Sequence, residues 1–135
     1  MRDVQKGGAA VMGTSESIRT VLHKYFSGFD IPVFLESQVE SKQKMPYLTY
    51  DPEIPGDWNE SAAFHARLWY PSANGNIPIL QMTDEISASL HGGLTLPCEG
   101  GAIILCKGSP WAQSMDNPPE GYLCTYLNFE LTQLL

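Results

Sequence analysis

The spacing of apolar positions divides the chain into two helical stretches and several shorter alternating ones. Ile18, Val21, Leu22, Tyr25 and Phe26 fall at i, i+3, i+4, i+7 and i+8, the stripe of a helix that buries one face. Thr14 or Ser15 offers the N-cap and Gly28 the stop. A helix this short is marginal alone in water, so its apolar face predicts packing against a sheet. A second helix opens near Pro78, continues through Ile79, Met82, Ile86 and Leu90, and ends at Gly92 and Gly93.

The remaining apolar runs have the two-residue period of strands. Ile31, Val33 and Leu35 alternate, and Pro32 confines that strand to an edge or a strand start. Tyr47, Leu48, Thr49 and Tyr50 make a second strand. Phe64, Ala66, Leu68 and Tyr70 alternate with His65, Arg67 and Trp69 to make a third, closed by Pro71. Ala102 to Cys106 supply a fourth. The fifth alternates Leu123, Thr125, Leu127, Phe129 and Leu131 against Cys124, Tyr126, Asn128 and Glu130. Between them, 36–45, 51–59 and 95–100 read as loops, and 108–121 as a turn-rich segment. The pattern predicts one soluble α+β domain over 14–135: a mostly antiparallel sheet of about five strands with two helices packed on one face. Residues 1–13, with Gly7, Gly8 and Gly13, read as a flexible arm.

Composition changes this picture in three ways. At 135 residues the chain fits one domain, and 43% apolar with 17% charged residues suits a packed core. A net charge of −7 makes the molecule repel phosphate backbones. Lys42 and Lys44 in a polar stretch read as a solvated loop. Cys98, Cys106 and Cys124 are odd in number and widely spaced, which fits reduced thiols, with Cys106 and Cys124 acting as small buried hydrophobes in strands. Gly7 to Gly13 is too short and glycine-rich for the apolar heart of a signal peptide, and no run approaches a membrane span, so a cytoplasmic setting is expected.

Patterns that carry chemistry are missing from the sequence. His23, His65 and His91 lie apart, and no serine stands in a GxSxG elbow; Ser109, before Pro110, reads as a turn opener. His91 and Cys98 flank a glycine-rich turn without a matching second pair, so neither a metal nor a cofactor is expected. Asp84 and Glu85 are neighbours on a helix, about 100° apart, and cannot share a proton as a catalytic dyad does. Gly92-Gly93 and Gly100-Gly101 lack the lysine of a phosphate cradle, and Asn59-Glu60-Ser61 matches a glycosylation sequon without a secretory context. No catalytic residue is assigned. Trp58, Trp69 and Trp111, by contrast, fall on loops or on the mixed face of a strand, and tryptophan favours contact surfaces.

Several stretches together resemble a known family. They are Met45-Pro46-Tyr47-Leu48-Thr49-Tyr50, Gly56-Asp57-Trp58-Asn59-Glu60, the strand from Phe64 to Tyr70, Thr83-Asp84-Glu85-Ile86, Leu96-Pro97-Cys98-Glu99-Gly100-Gly101, Lys107-Gly108-Ser109-Pro110-Trp111-Ala112-Gln113 and Tyr126-Leu127-Asn128-Phe129-Glu130. In order and spacing, over about 17–131, they resemble the small tail-terminator or tail-completion proteins of tailed bacteriophages from Gram-positive hosts. The resemblance implies a small α+β subunit of the virion, assembled in the host cytoplasm, whose copies form a ring, commonly six, at the head-proximal end of the tail tube. Such a ring stops tube polymerisation and meets the head connector. Its partners would be itself, the tail tube protein and the connector proteins, with no membrane.

On that reading the segments 36–45, 51–60 and 108–121 carry ring or tube contacts, and the interface residues are Lys42, Lys44, Asp57, Trp58, Glu60, Trp69, Trp111 and Gln113. DNA would pass through without specific binding, repelled by acidic side chains in the lumen within the ~8 Å Debye length of physiological salt. A stopper, adaptor or minor capsid protein is the alternative within the same class. Two alternatives of other classes are a small-molecule enzyme or ligand module built from His65, Asp57 and Cys98, and a monomeric regulator that binds through its tryptophans.

Overall fold

The computed structural model describes residues 14–40 and 42–135; the N-terminal arm expected over 1–13 lies outside them. In chain order the elements are α1 (Thr14–Phe26), β1 (Val33–Leu35), β2 (Tyr47–Tyr50), β3 (Ser61–Pro71), α2 (Ile77–Ser89), β4 (Leu94–Cys98), β5 (Gly101–Ser114) and β6 (Tyr122–Leu134), with 3-10 turns at Glu36–Gln38 and Ser72–Asn74. The class is α+β, with one curled mixed sheet in the order β1-β2-β3-β6-β5-β4. Only β1 and β2 run parallel; the other four pairings are antiparallel.

The centre of the sheet is β3 against β6, in register from Ser61 opposite Thr132 to Pro71 opposite Tyr122. The two-residue period works as it does in the sequence: Phe64, Ala66, Leu68 and Tyr70 are buried on one face beside Leu127, Phe129 and Leu131 of β6. Both helices cover that inner face. Ile18, Leu22 and Phe26 of α1 and Ile79, Met82, Ile86 and Leu90 from α2 and its end join one core with the inward side chains of β2, β3, β5 and β6. Phe129 is the hub, meeting Phe26 edge-on at 5.4 Å, Phe64 stacked at 5.2 Å and Trp111 edge-on at 5.2 Å.

Polar side chains inside this layer find partners and fix the helices. Ser17 is buried, and its hydroxyl accepts the Glu99 N–H at 2.9 Å, tying the first turn of α1 to the β4–β5 turn. Thr83 donates to the Ile79 carbonyl within α2. The Tyr25 hydroxyl meets Ser89 at 2.6 Å and joins the two helices. Gly92 and Gly93, at φ 74° and 90°, turn the chain out of α2.

Several sequence expectations need correction. The stretch 95–100 is not a loop: Leu94–Cys98 form β4, with Leu94 opposite Leu105 and Leu96 opposite Ile103. Pro97 is tolerated because β4 is an edge strand, where a missing N–H leaves no ladder bond unmade. The turn-rich segment also shrinks. β5 runs on to Ser114 and only 115–121 turns, because an irregularity between Lys107 and Ala112 absorbs Gly108-Ser109-Pro110 within the strand. A Cβ on Gly108 would come within 3.0–3.1 Å of Asn128, so glycine lets β5 lie against β6 there. Among the described residues the sheet therefore has six strands. Cys124 is buried as expected, whereas Cys106 is only half-buried.

Candidate functional site

With both helices on the inner face, the outer face of the sheet is left to its own side chains. Those positions are the odd ones of β3 and the even ones of β6, and the sequence fills many of them with aromatic residues. Phe34, Tyr47, Trp69 and Tyr122 line up across β1, β2, β3 and β6, with ring centroids 6.1, 6.3 and 6.0 Å apart. Tyr47 is buried between its neighbours, and the other three are half-buried. Cross-strand pairing places them: Tyr47 lies opposite Trp69, and Pro71 opposite Tyr122.

A polar row runs beside the aromatic one. Glu36 takes the Thr49 hydroxyl at 2.8 Å and the Arg67 Nη1 at 3.2 Å, while the Trp69 indole N–H donates to the Thr49 Oγ1 at 3.1 Å. Arg67 also covers the ring of Tyr126, 5.3 Å from its centroid, and its Nε is buried without a partner among the described residues. His65 meets the Tyr126 ring edge-on at 5.4 Å. Beyond it, the Asn128 amide donates to the Pro110 carbonyl at 2.9 Å and to Gln113 Oε1 at 3.2 Å. An open hollow of about 610 Å³ lies between the 107–110 bulge, His65, Asn128 and Glu130.

Two half-strands border this face without partners among the described residues. β4 pairs with β5 only as far as Leu105, leaving 106–114 open on that side. β2 pairs with β3 only from Ala66 on, leaving 61–65 open on the opposite side of the sheet.

The structure brings two of the expected contact residues, Trp69 and Gln113, onto this face. Lys42 and Lys44 are exposed before β2, and Asp57 and Glu60 are exposed in 51–60. The two other tryptophans pack against their own subunit. Trp58 folds back over Gly100 and Gly101, where a Cβ would come within 3.2 and 2.8 Å of its ring. Trp111 points to the core and packs on Phe129, its indole nitrogen buried without a partner among the described residues. Each packs partly on its own subunit and stays half-exposed, as Trp69 does. Phe34, Tyr47, Arg67, Tyr122 and Tyr126 escaped the sequence reading, although aromatic residues at the phase opposite the core positions of β3 and β6 were the available signal.

The trio His65, Asp57 and Cys98 is not assembled: His65 points outward from β3, while Cys98 lies in edge strand β4 in the inward phase of Leu94 and Leu96, against the core. Burial, and then Glu99, pushes the Cys98 thiol up from its usual pKa. Cys124 is pushed up to about 12 by burial, with Arg67 pulling it down and Glu36 raising it. Among the described residues no three His, Cys, Asp or Glu side chains converge as a metal site, and no helix is long and apolar enough to cross a membrane.

No family model matches the chain, and no curated protein matches it. A solved structure whose name states no activity shares the fold, with a TM-score of 0.58 at 15% sequence identity, covering 92% of this chain and 95% of that one.

Proposed function

We propose that this chain is a structural subunit of a phage tail, forming a ring at the head-proximal end of the tail tube that ends tube polymerisation and joins the tail to the head connector. The observation that supports this most is the outer sheet face, whose row Phe34, Tyr47, Trp69 and Tyr122 has no helix over it among the described residues and keeps Phe34, Trp69 and Tyr122 half-exposed. The rings shield one another only in part, so apolar surface of Phe34, Trp69 and Tyr122 stays open to a partner. Large rings of this kind are the residues that carry protein contacts. The open half-strands 61–65 and 106–114, on opposite sides of the sheet, suit a head-to-tail arrangement, in which each copy uses different surfaces toward its two neighbours.

The test is the mass of the purified chain alone and with tail tubes, together with negative-stain images of the mixture. Rings capping one end of tubes that then stop growing are the expected result, and Trp69→Ala lowers ring occupancy at least tenfold while leaving the circular dichroism spectrum intact. Rings found on the portal instead make the chain another neck component. A chain that stays monomeric beside tubes that keep growing overturns the reading.

A further inference from the structure

Two surface patches away from the outer sheet face complement one another. The first is a groove of about 430 Å³ between α1 and the start of the sheet. Its floor is apolar, from Leu35, Tyr50 and Pro52, and its α1 wall is cationic, from Arg19, His23 and Lys24. Arg19, His23 and Lys24 are exposed, with His23 Nδ1 and the Tyr50 hydroxyl 3.1 Å apart. In a chain of net charge −7 a cationic wall is a minority feature. Two of the other cations are engaged within the subunit, Arg67 on Glu36 and Lys107 on Ser87.

The second patch is the exposed side of α2. Among the described residues the exposed large hydrophobics are Ile77 at 64%, Leu80 at 52% and the terminal Leu135. Ile77 and Leu80 lie three residues apart on one helical face, and Asp84 continues the same line one turn on, with Glu85 beside it. Asp84 and Glu85 are both exposed. The stripe thus presents two aliphatic side chains followed by two carboxylates, the counterpart of an apolar floor with a cationic wall.

We infer that α2 of one copy docks in the α1 groove of the next, with Ile77 and Leu80 over Leu35, Tyr50 and Pro52, and with Asp84 and Glu85 against Arg19 and Lys24. The occupant is a second copy of this chain. The two patches share no residue, so one molecule can use both at once, and the contact is heterologous: it closes into a ring where the rotation permits. This inference rests on the ring reading above and adds which surfaces join neighbouring subunits.

Charge reversal tests it, because each variant keeps one patch intact. R19E/K24E makes both patches acidic and D84K/E85K makes both basic, so each alone self-associates at least tenfold more weakly than the parent. This is read by sedimentation at low salt and by ring occupancy on tail tubes. An equimolar mixture restores assembly, since the acidic groove of one variant meets the basic helix of the other, and that rescue also proves both variants folded. If both reversed variants assemble as well as the parent, or if mixing restores nothing, the α2-to-α1 contact is overturned while the ring reading stands. If the parent assembles neither alone nor on tubes, both fall together.

Discussion

At the scale of single residues, the core depends on Phe129. It is fully buried, and the rings of Phe26, Phe64 and Trp111 all rest on it. Phe129→Ala therefore removes about 3–5 kcal/mol, measured as a lowered denaturant midpoint with an unchanged slope. Two other buried groups contribute to the alkaline limit, beside Tyr25, which burial also raises to about 12. Burial raises the Tyr50 hydroxyl from 10.0 to about 12, with Arg19 pulling it down and Asp51 raising it, and raises Cys124 from 9.0 to about 12. Below pH 9 both groups are protonated in the folded and the unfolded chain, so neither makes stability depend on pH. From about 9 for the cysteine and 10 for the tyrosine, the unfolded chain releases protons that the folded one holds up to about 12, and stability falls as pH rises through that window. Denaturant midpoints at pH 8, 9, 10 and 11 show the fall, and Cys124→Ala flattens its first step; an unchanged profile would remove the cysteine from the account. Phe129 was legible in the sequence from strand alternation, as Leu68 and Leu127 were. The roles of Trp58 and Trp111 were not, because what a tryptophan between turns packs on is decided by distant glycines and by the far side of a sheet.

At the scale of elements, the two helices and the β2, β3 and β6 strands follow from apolar period alone, because each buries one face against a single core. The two elements misread share a cause. Pro97 in β4 and Gly108-Ser109-Pro110 in β5 carry the local chemistry of turns, yet an edge position and a bulge let strand pairing override it. The parallel pairing of β1 with β2 has no local signature at all, since it depends on where the 36–46 connection returns the chain. The hairpin between β4 and β5 shows how exacting such a turn is. Gly100 has φ 85°, and a Cβ on Gly101 would overlap the Leu134 carbonyl and press on the Trp58 ring. Gly101→Ala is therefore expected to displace Trp58 from the hairpin and to loosen the end of β6. It lowers the melting temperature by several degrees, read by calorimetry, and shifts the tryptophan fluorescence to longer wavelength. Gly121→Ala, also at positive φ but with open space around it, strains only the local backbone and leaves the fluorescence in place. Equal fluorescence shifts in both variants would contradict this account of Trp58.

At the scale of the whole molecule, the charge balance and the proposed ring bear on each other. If Arg19 and Lys24 are covered by the next copy's Asp84 and Glu85, the assembled ring loses cations and carboxylates in equal number, and the rest of its surface keeps the acidic excess of the free chain. The segment 51–60 is the densest exposed source of that excess, with Asp51, Glu53, Asp57 and Glu60. On the proposed ring, with these side chains bordering the lumen, phosphates within about 8 Å at physiological salt are repelled, and DNA is expected to pass without being held. The parent protein is accordingly expected to retain no duplex DNA on a filter at any salt concentration. Replacing all four acidic residues with lysine moves the charge by eight positive units per copy, and multiplied around a ring this produces DNA retention that weakens steeply as salt rises. The substituted side chains are exposed and lie outside the helices and strands, so folding is preserved. Retention by the assembled variant but not by its monomer places the segment on the DNA path. Equal retention by both makes the effect one of net charge alone, and retention by the parent protein would overturn the idea of a repelling lumen.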